Sequence, residues 1–168
     1  MTFPAVADLR PTPGRVRETL FNWLQMNIAG ARCLDLFAGS GALGLEALSR
    51  GASEVIFVEK ETTAARAIDA HLKRLESARG AVVTTDALRF LNRQMPPFDI
   101  VFLDPPYQQA LLPRCCEALE SRGWLTTGGY IYIEAARQLE QLPLPPSWQL
   151  IRSKQAGDVG YHLARKES

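Results

Sequence analysis

The sequence predicts an α/β fold: one doubly wound, mostly parallel sheet of seven strands that ends in a carboxyl-terminal β-hairpin. Three observations carry this expectation. Short apolar runs alternate with amphipathic segments along the chain. The first run, Cys33 to Phe37, opens into Ala38-Gly39-Ser40-Gly41 and then a helical pattern of Leu43, Leu45 and Leu48, the strand, glycine turn and helix of a βαβ unit. The last two runs, about 148–154 and 159–165, are joined by Gly157-Asp158, which reads as a hairpin turn.

The bulk numbers fit that picture. A chain of 168 residues, 46% hydrophobic and 22% charged, suits one globular domain spanning 1–168. A net charge of +1 means that a nucleic-acid partner would have to meet a local basic patch. Cys33, Cys115 and Cys116 make no metal spacing and leave one thiol over in any disulfide scheme, so they read as reduced packing. No signal peptide and no apolar run near the ~20 residues that span a bilayer is visible, and a cytoplasmic protein is expected.

Each element has its own signal. Arg10-Pro11-Thr12-Pro13 leads into a helix to about Met26, with Thr12 as N-cap and Pro13 at the first helical position. Val16, Leu20, Trp23 and Leu24 form its apolar face; Arg15, Arg17 and Glu18 fall on the other side. Strand one (32–37) and a helix (about 41–50) follow. Glu54-Val-Ile-Phe-Val-Glu59 is a near-continuous apolar run, as in a strand covered on both faces. A long amphipathic helix occupies Glu61 to about Ala78, with His71 on its solvated side. Ala81 to Thr85 is strand three, and Asp86-Ala87 start a helix to about 94. Pro96-Pro97 break the chain before strand four, Phe98 to Leu103. The next helix carries Leu111, Leu112, Cys115 and Leu119, and Gly128-Gly129 lead into strand five, Tyr130 to Glu134. If strand four lies beside strand one, Gly39 and Asp104 share a crevice at the carboxyl ends of the strands.

As a pattern, Gly39-x-Gly41-x-x-Gly44 with Glu59 some twenty residues on fits a dinucleotide site as well as a site for S-adenosylmethionine (SAM). Asp35 tilts the balance. A carboxylate at the mouth of the turn repels a pyrophosphate and attracts the ammonium of a methionine moiety; alternatively it is a capping residue. Glu59, at a strand end, can accept two hydrogen bonds from a ribose diol. Asp86 can accept from an adenine amino group, cap its helix, or do both.

The chemistry is suggested by Asp104-Pro105-Pro106-Tyr107. Two prolines keep the backbone out of ladder and helix, so the Asp104 carboxylate and Pro105 carbonyl can both accept from one exocyclic amine. That arrangement aims the nitrogen lone pair at a methyl donor, and positioning of this kind supplies several kcal/mol. Tyr107 is placed to stack on the base, worth roughly 1–3 kcal/mol.

Together, Leu9-Arg-Pro-Thr12, Arg15-Val-Arg-Glu-Thr-Leu-Phe-Asn-Trp-Leu24, the run Leu34 to Arg50, Asp104-Pro-Pro-Tyr107 and the Gly157 to Tyr161 hairpin closely resemble the RsmD family. These are bacterial methyltransferases of a guanine N2 amine in 16S ribosomal RNA. The resemblance implies a Rossmann-like class I SAM-dependent methyltransferase, with SAM as methyl donor and no metal. It places Asp35, Ala38, Gly39 and Gly41 at the methionine side, Glu59 at the ribose and Asp86 with Ala87 at the adenine, with Phe37, Ser40 and Lys60 also binding the cofactor. Arg10 and Thr12 would flank that pocket, Asp104 to Tyr107 would hold the guanine, and Arg15 and Arg17 would face RNA. The implied partner is 16S rRNA or a small-subunit assembly intermediate, met by a monomer without a membrane. The family pattern also includes a longer basic amino-terminal extension; here eight residues precede Leu9, none of them Lys or Arg, so a smaller electrostatic footprint on RNA is expected. Other readings are a DNA adenine-N6 or cytosine-N4 methyltransferase, a nicotinamide-dependent oxidoreductase, and a SAM- or RNA-binding module without turnover. The first lacks room for a target-recognition region; the second leaves Asp104 to Tyr107 without a role.

Overall fold

A near-continuous apolar run puts apolar side chains on both faces of a sheet, and both must be covered; in this chain two sets of helices do so. The computed structural model describes residues 14–106, 111–136 and 142–167. Its elements are α1 (Gly14–Trp23), β1 (Arg32–Asp35), α2 (Ala42–Ser49), β2 (Glu54–Glu59), α3 (Thr62–Arg74), β3 (Gly80–Thr84) and α4 (Ala87–Phe90). There follow β4 (Phe98–Leu103), α5 (Leu111–Ser121), β5 (Leu125–Ala136), β6 (Trp148–Ala156) and β7 (Val159–Lys166). The seven strands form one sheet in the order β3-β2-β1-β4-β5-β7-β6. β3, β2, β1, β4 and β5 are mutually parallel, and β7 runs antiparallel between β5 and β6. The doubly wound sheet and its closing hairpin are as the sequence predicts, and β4 does lie beside β1, where the strand order reverses.

One face is packed by α1, α2 and α3 around Val16, Phe21, Leu43, Phe57, Ile68 and Phe102. The other is packed by α4 and α5 around Leu34, Val58, Phe90, Val101, Cys116 and Trp124. The three cysteines are free, and burial pushes each thiol up to about 12, so they stay protonated and act as packing. Among the described residues no helix is long and apolar enough to cross a membrane.

Several boundaries differ from those expected. α1 stops at Trp23 because the chain turns over Leu24 to Asn27, whose last amide donates back to Leu24 at 2.7 Å. The helix expected over about 87–94 is only Ala87–Phe90; after it, Asn92 and Arg93 donate to carbonyls three residues back, in a tightening turn. β5 begins at Leu125, well before Tyr130. Gly128 and Gly129 lie inside it at a register shift against β4 between Phe98 and Ile100, the usual place for glycine within a strand. Arg10, Thr12, Pro13 and Tyr107 lie outside the described residues.

Candidate active site at the carboxyl ends of the central strands

The chain leaving β1 does not leave the sheet at once. The Leu36 amide donates to the Phe102 carbonyl on β4 at 3.1 Å, and the Ala38 amide donates to the Val58 carbonyl on β2 at 2.9 Å. The glycine turn is therefore strung across the point where the sheet reverses. It closes with the Gly41 amide on the Ala38 carbonyl at 2.7 Å, Gly41 taking a φ of 83° as the N-cap of α2, a conformation that favours glycine. Gly44 has another function. A Cβ there would lie 2.3 Å from Cε1 of Phe57, so α2 rests directly on β2 and its amino end sits low over the strand ends.

Two acids hold this turn. Asp35 is buried, and its Oδ2 accepts from the Gly44 amide at 3.1 Å, so it does cap the first turn of α2. Burial pushes its carboxyl up to about 7, against the pull of the Gly44 bond and with a further push from Glu59. Glu59 is buried too; Oε1 accepts from Gly39 and Oε2 from Glu61, both at 2.8 Å. Glu59 thus ties the glycine turn to the entrance of α3.

Neighbouring groups complete the rim. Lys60 is exposed beside Glu59. Ser40 Oγ accepts from the Ala42 amide at 3.3 Å, and Phe37 packs, half-buried, against the α4–α5 side. Asp86 caps α4 by accepting from the Arg89 amide at 3.0 Å, with Ala87 buried beneath it. The adjoining Thr85 amide donates to the Glu59 carbonyl at 3.2 Å, which brings the end of β3 up to that of β2. Across the reversal, β4 ends in Asp104, partly exposed, followed by buried Pro105 and half-buried Pro106. α1 lies over the same sheet face, with Phe21 against Phe102 (ring centroids 5.9 Å apart) and Trp23 stacked on Tyr161 (5.5 Å). Arg15 on α1 is exposed and Arg17 half-buried.

A family model described as conserved hypothetical protein 95 matches residues 1–165. The chain is 43% identical to the ribosomal RNA small subunit methyltransferase D of Escherichia coli K12, over 98% of this chain and 83% of that protein. It is 42% identical to the protein of the same name from Haemophilus influenzae, over 92% and 82%. A solved structure described as the putative methyltransferase yhhF from Escherichia coli superposes with a TM-score of 0.90 at 41% identity, covering 95% of this chain and 90% of that one. The chain belongs to the RsmD methyltransferase family.

In this RsmD-family chain the strand ends also bring in a residue that sequence reasoning did not single out. Leu103 pairs with Ile133, and Glu134 is the next residue on β5, level with Asp104. Side chains alternate along each strand, and Phe57, Cys33, Phe102 and Tyr132 all belong to the core on the α1–α3 side. Each stands two residues before a carboxylate: Glu59, Asp35, Asp104 and Glu134. Four acids therefore line one face at the ends of four adjacent parallel strands. Glu134 is buried and accepts from the Tyr132 hydroxyl at 2.6 Å. The Asp104 carboxyl is held well above the usual range by withdrawal from water, by the neighbouring Glu134 carboxyl and by the charge of Asp35. The signal for Glu134 was an acid closing the alternating run Tyr130-Ile-Tyr-Ile-Glu134; its importance comes from strand register, which one sequence does not display.

Proposed function

We propose that this protein transfers the methyl group of SAM to the exocyclic N2 amine of a guanine in bacterial 16S rRNA. The observation that carries the reading is the side-by-side placement of the glycine turn and Asp104-Pro105-Pro106 at the reversal of the sheet, among a row of buried acids. Such a row suits a cationic ligand and opposes a pyrophosphate, which favours SAM over a nicotinamide dinucleotide. Family membership and the names of the relatives support methyl transfer to ribosomal RNA.

In this reading Asp35, with Phe37, Ala38, Gly39, Ser40 and Gly41, holds the methionine end. Glu59 and Lys60 hold the ribose, Asp86 with Ala87 the adenine, and Arg10 and Thr12 close the pocket from the amino-terminal side. SAM supplies an electrophilic methyl group on a sulfonium sulfur. Asp104 and the Pro105 carbonyl accept the two N–H bonds of the guanine amine and keep its lone pair in line; Tyr107 stacks on the base. Arg15 and Arg17 meet RNA phosphate. The protein acts in the cytoplasm as a monomer, on rRNA in a small-subunit assembly intermediate whose proteins complete the docking surface.

The test is transfer of labelled methyl from SAM to small-subunit particles that lack this modification. Label recovered as N2-methylguanine, and at least 100-fold slower with Asp104→Ala, is the expected result. Label recovered on an adenine or cytosine amine would replace this reading with the DNA-type amino-methyltransferase. Equal rates on protein-free rRNA and on partly assembled particles would overturn the assembly-intermediate part.

A further inference from the structure

The methyl-transfer reading leaves one proton to be placed. When the amine nitrogen forms its bond to the methyl carbon and the sulfur–carbon bond breaks, the nitrogen becomes cationic and has to lose a proton. An arylamine nitrogen that has just gained a methyl group is strongly acidic, so a carboxylate held beside it takes the proton readily. Resting on that reading, we propose that Glu134 is a positioning residue that acts through Asp104: the two carboxyl groups share one proton, the Tyr132 hydroxyl fixes Glu134 for that purpose, and the pair takes the proton released by the methylated amine.

The geometry comes from three strands. β4 and β5 are parallel and in register at Leu103 and Ile133, so Asp104 and Glu134 leave the sheet side by side on one face. Glu134 pairs across β5 and β7 with Tyr161, which is itself buried under Trp23 of α1. From within β5, Tyr132 gives its hydroxyl to Glu134 Oε1 at 2.6 Å, which occupies one oxygen of that carboxyl from below. On the neighbouring strand Asp104 is level with Glu134 and leaves the same face, which sets the two carboxyl groups beside each other. Two carboxyl groups so placed can bond to each other only through a proton between them, because two carboxylates have no donor.

The charges nearby keep that proton in place. Among the described residues, the charges that bear on Asp104 are the acids Glu134 and Asp35, and the Tyr132 hydroxyl meets Glu134, Asp104 and Tyr161. Three carboxylates on neighbouring strand ends in a site withdrawn from water do not all ionise at neutral pH. The pair therefore rests as a monoanion, with acceptor oxygens left for the guanine amine. After methyl transfer the N–H bond breaks, its electron pair stays on nitrogen, and the proton goes to Asp104, leaving a neutral pair that returns the proton to water. A base poised near the working pH is the efficient one for such a step.

Two conservative variants move the pair in opposite directions, which a merely structural role does not do. Glu134→Gln keeps an acceptor for the Tyr132 hydroxyl and removes the second ionisable group, so the Asp104 titration drops toward the ordinary carboxylate range. Tyr132→Phe removes the donor that stabilises the charged pair, so the pair's titration rises. Both are followed by carbon NMR of the side-chain carboxyls in ligand-free protein, with thermal melting as a check of folding. In single-turnover methyl transfer to small-subunit particles, the acid limb of the rate profile moves down in Glu134→Gln and up in Tyr132→Phe. The maximal rate of Glu134→Gln falls at least tenfold, a larger loss than any change in its SAM affinity. Unchanged titration of Asp104 in Glu134→Gln, or shifts of both variants in the same direction, overturns the pairing; wild-type rate and limb in Glu134→Gln overturn the proton-accepting role. Wild-type turnover separately tests the underlying reaction, and the carboxyl titrations decide the pairing even if the particles accept no methyl group.

Discussion

Asp35 works both as a cap and as a charge. It satisfies the Gly44 amide, yet burial holds its carboxyl at about 7 rather than in the usual range. A carboxyl whose folded value is raised binds its proton more tightly in the folded state, so it favours folding below its unfolded value and that contribution is lost as the pH rises. Unliganded protein therefore loses stability on this account between about pH 4 and about pH 7. Urea unfolding of Asp35→Asn and wild type at several pH values should show the slope flattened in the variant. Binding of an ammonium beside Asp35 demands the ionised form. SAM affinity should accordingly fall by up to about tenfold per pH unit below about 7, with release of roughly one proton measurable by calorimetry in buffers of different ionisation enthalpy. An affinity flat from pH 5 to 8 would remove Asp35 from the ammonium site. The sequence made Asp35, Glu59 and Asp104 legible because each follows an apolar run or precedes a glycine or proline turn. It left Glu134 unassigned because, although it too closes a strand run, its place beside Asp104 comes from strand register.

At the scale of elements, the closest approach in the site is α2 on β2. Gly44→Ala puts a methyl group where Cε1 of Phe57 already stands, so α2 must lift. A cost of about 1–3 kcal/mol is expected from overpacking of this kind, together with a loss of SAM affinity, since the glycine turn moves with the helix it begins. Adding Phe57→Leu should recover part of both; denaturant unfolding and calorimetry of the single and double variants give the answer. β1, β2 and β4 could be read from their apolar runs because each is buried on both faces. β5 was read too short: Gly128 and Gly129 look like punctuation in a sequence, yet here they accommodate a shift of register. In the same way α4 was read too long, since Leu91 continues the apolar pattern while the backbone after Phe90 is already turning.

For the whole molecule the net charge of +1 makes attraction to RNA a local matter, and α1 carries an exposed Arg15 and a half-buried Arg17. Reversing both to Glu should weaken binding to small-subunit particles and reduce the slope of log affinity against log salt by about 0.7–0.9 per lost phosphate contact. SAM affinity should stay unchanged. An unaltered salt slope would place the RNA surface elsewhere. The stack of Trp23 on Tyr161 has a consequence for how the protein is made. α1 is synthesised early, but the ring its Trp23 stacks on belongs to β7 and leaves the ribosome late, after every parallel strand has emerged. On a nascent chain the first helix therefore waits, part of its apolar face unclaimed, until β7 has emerged and paired beside β5.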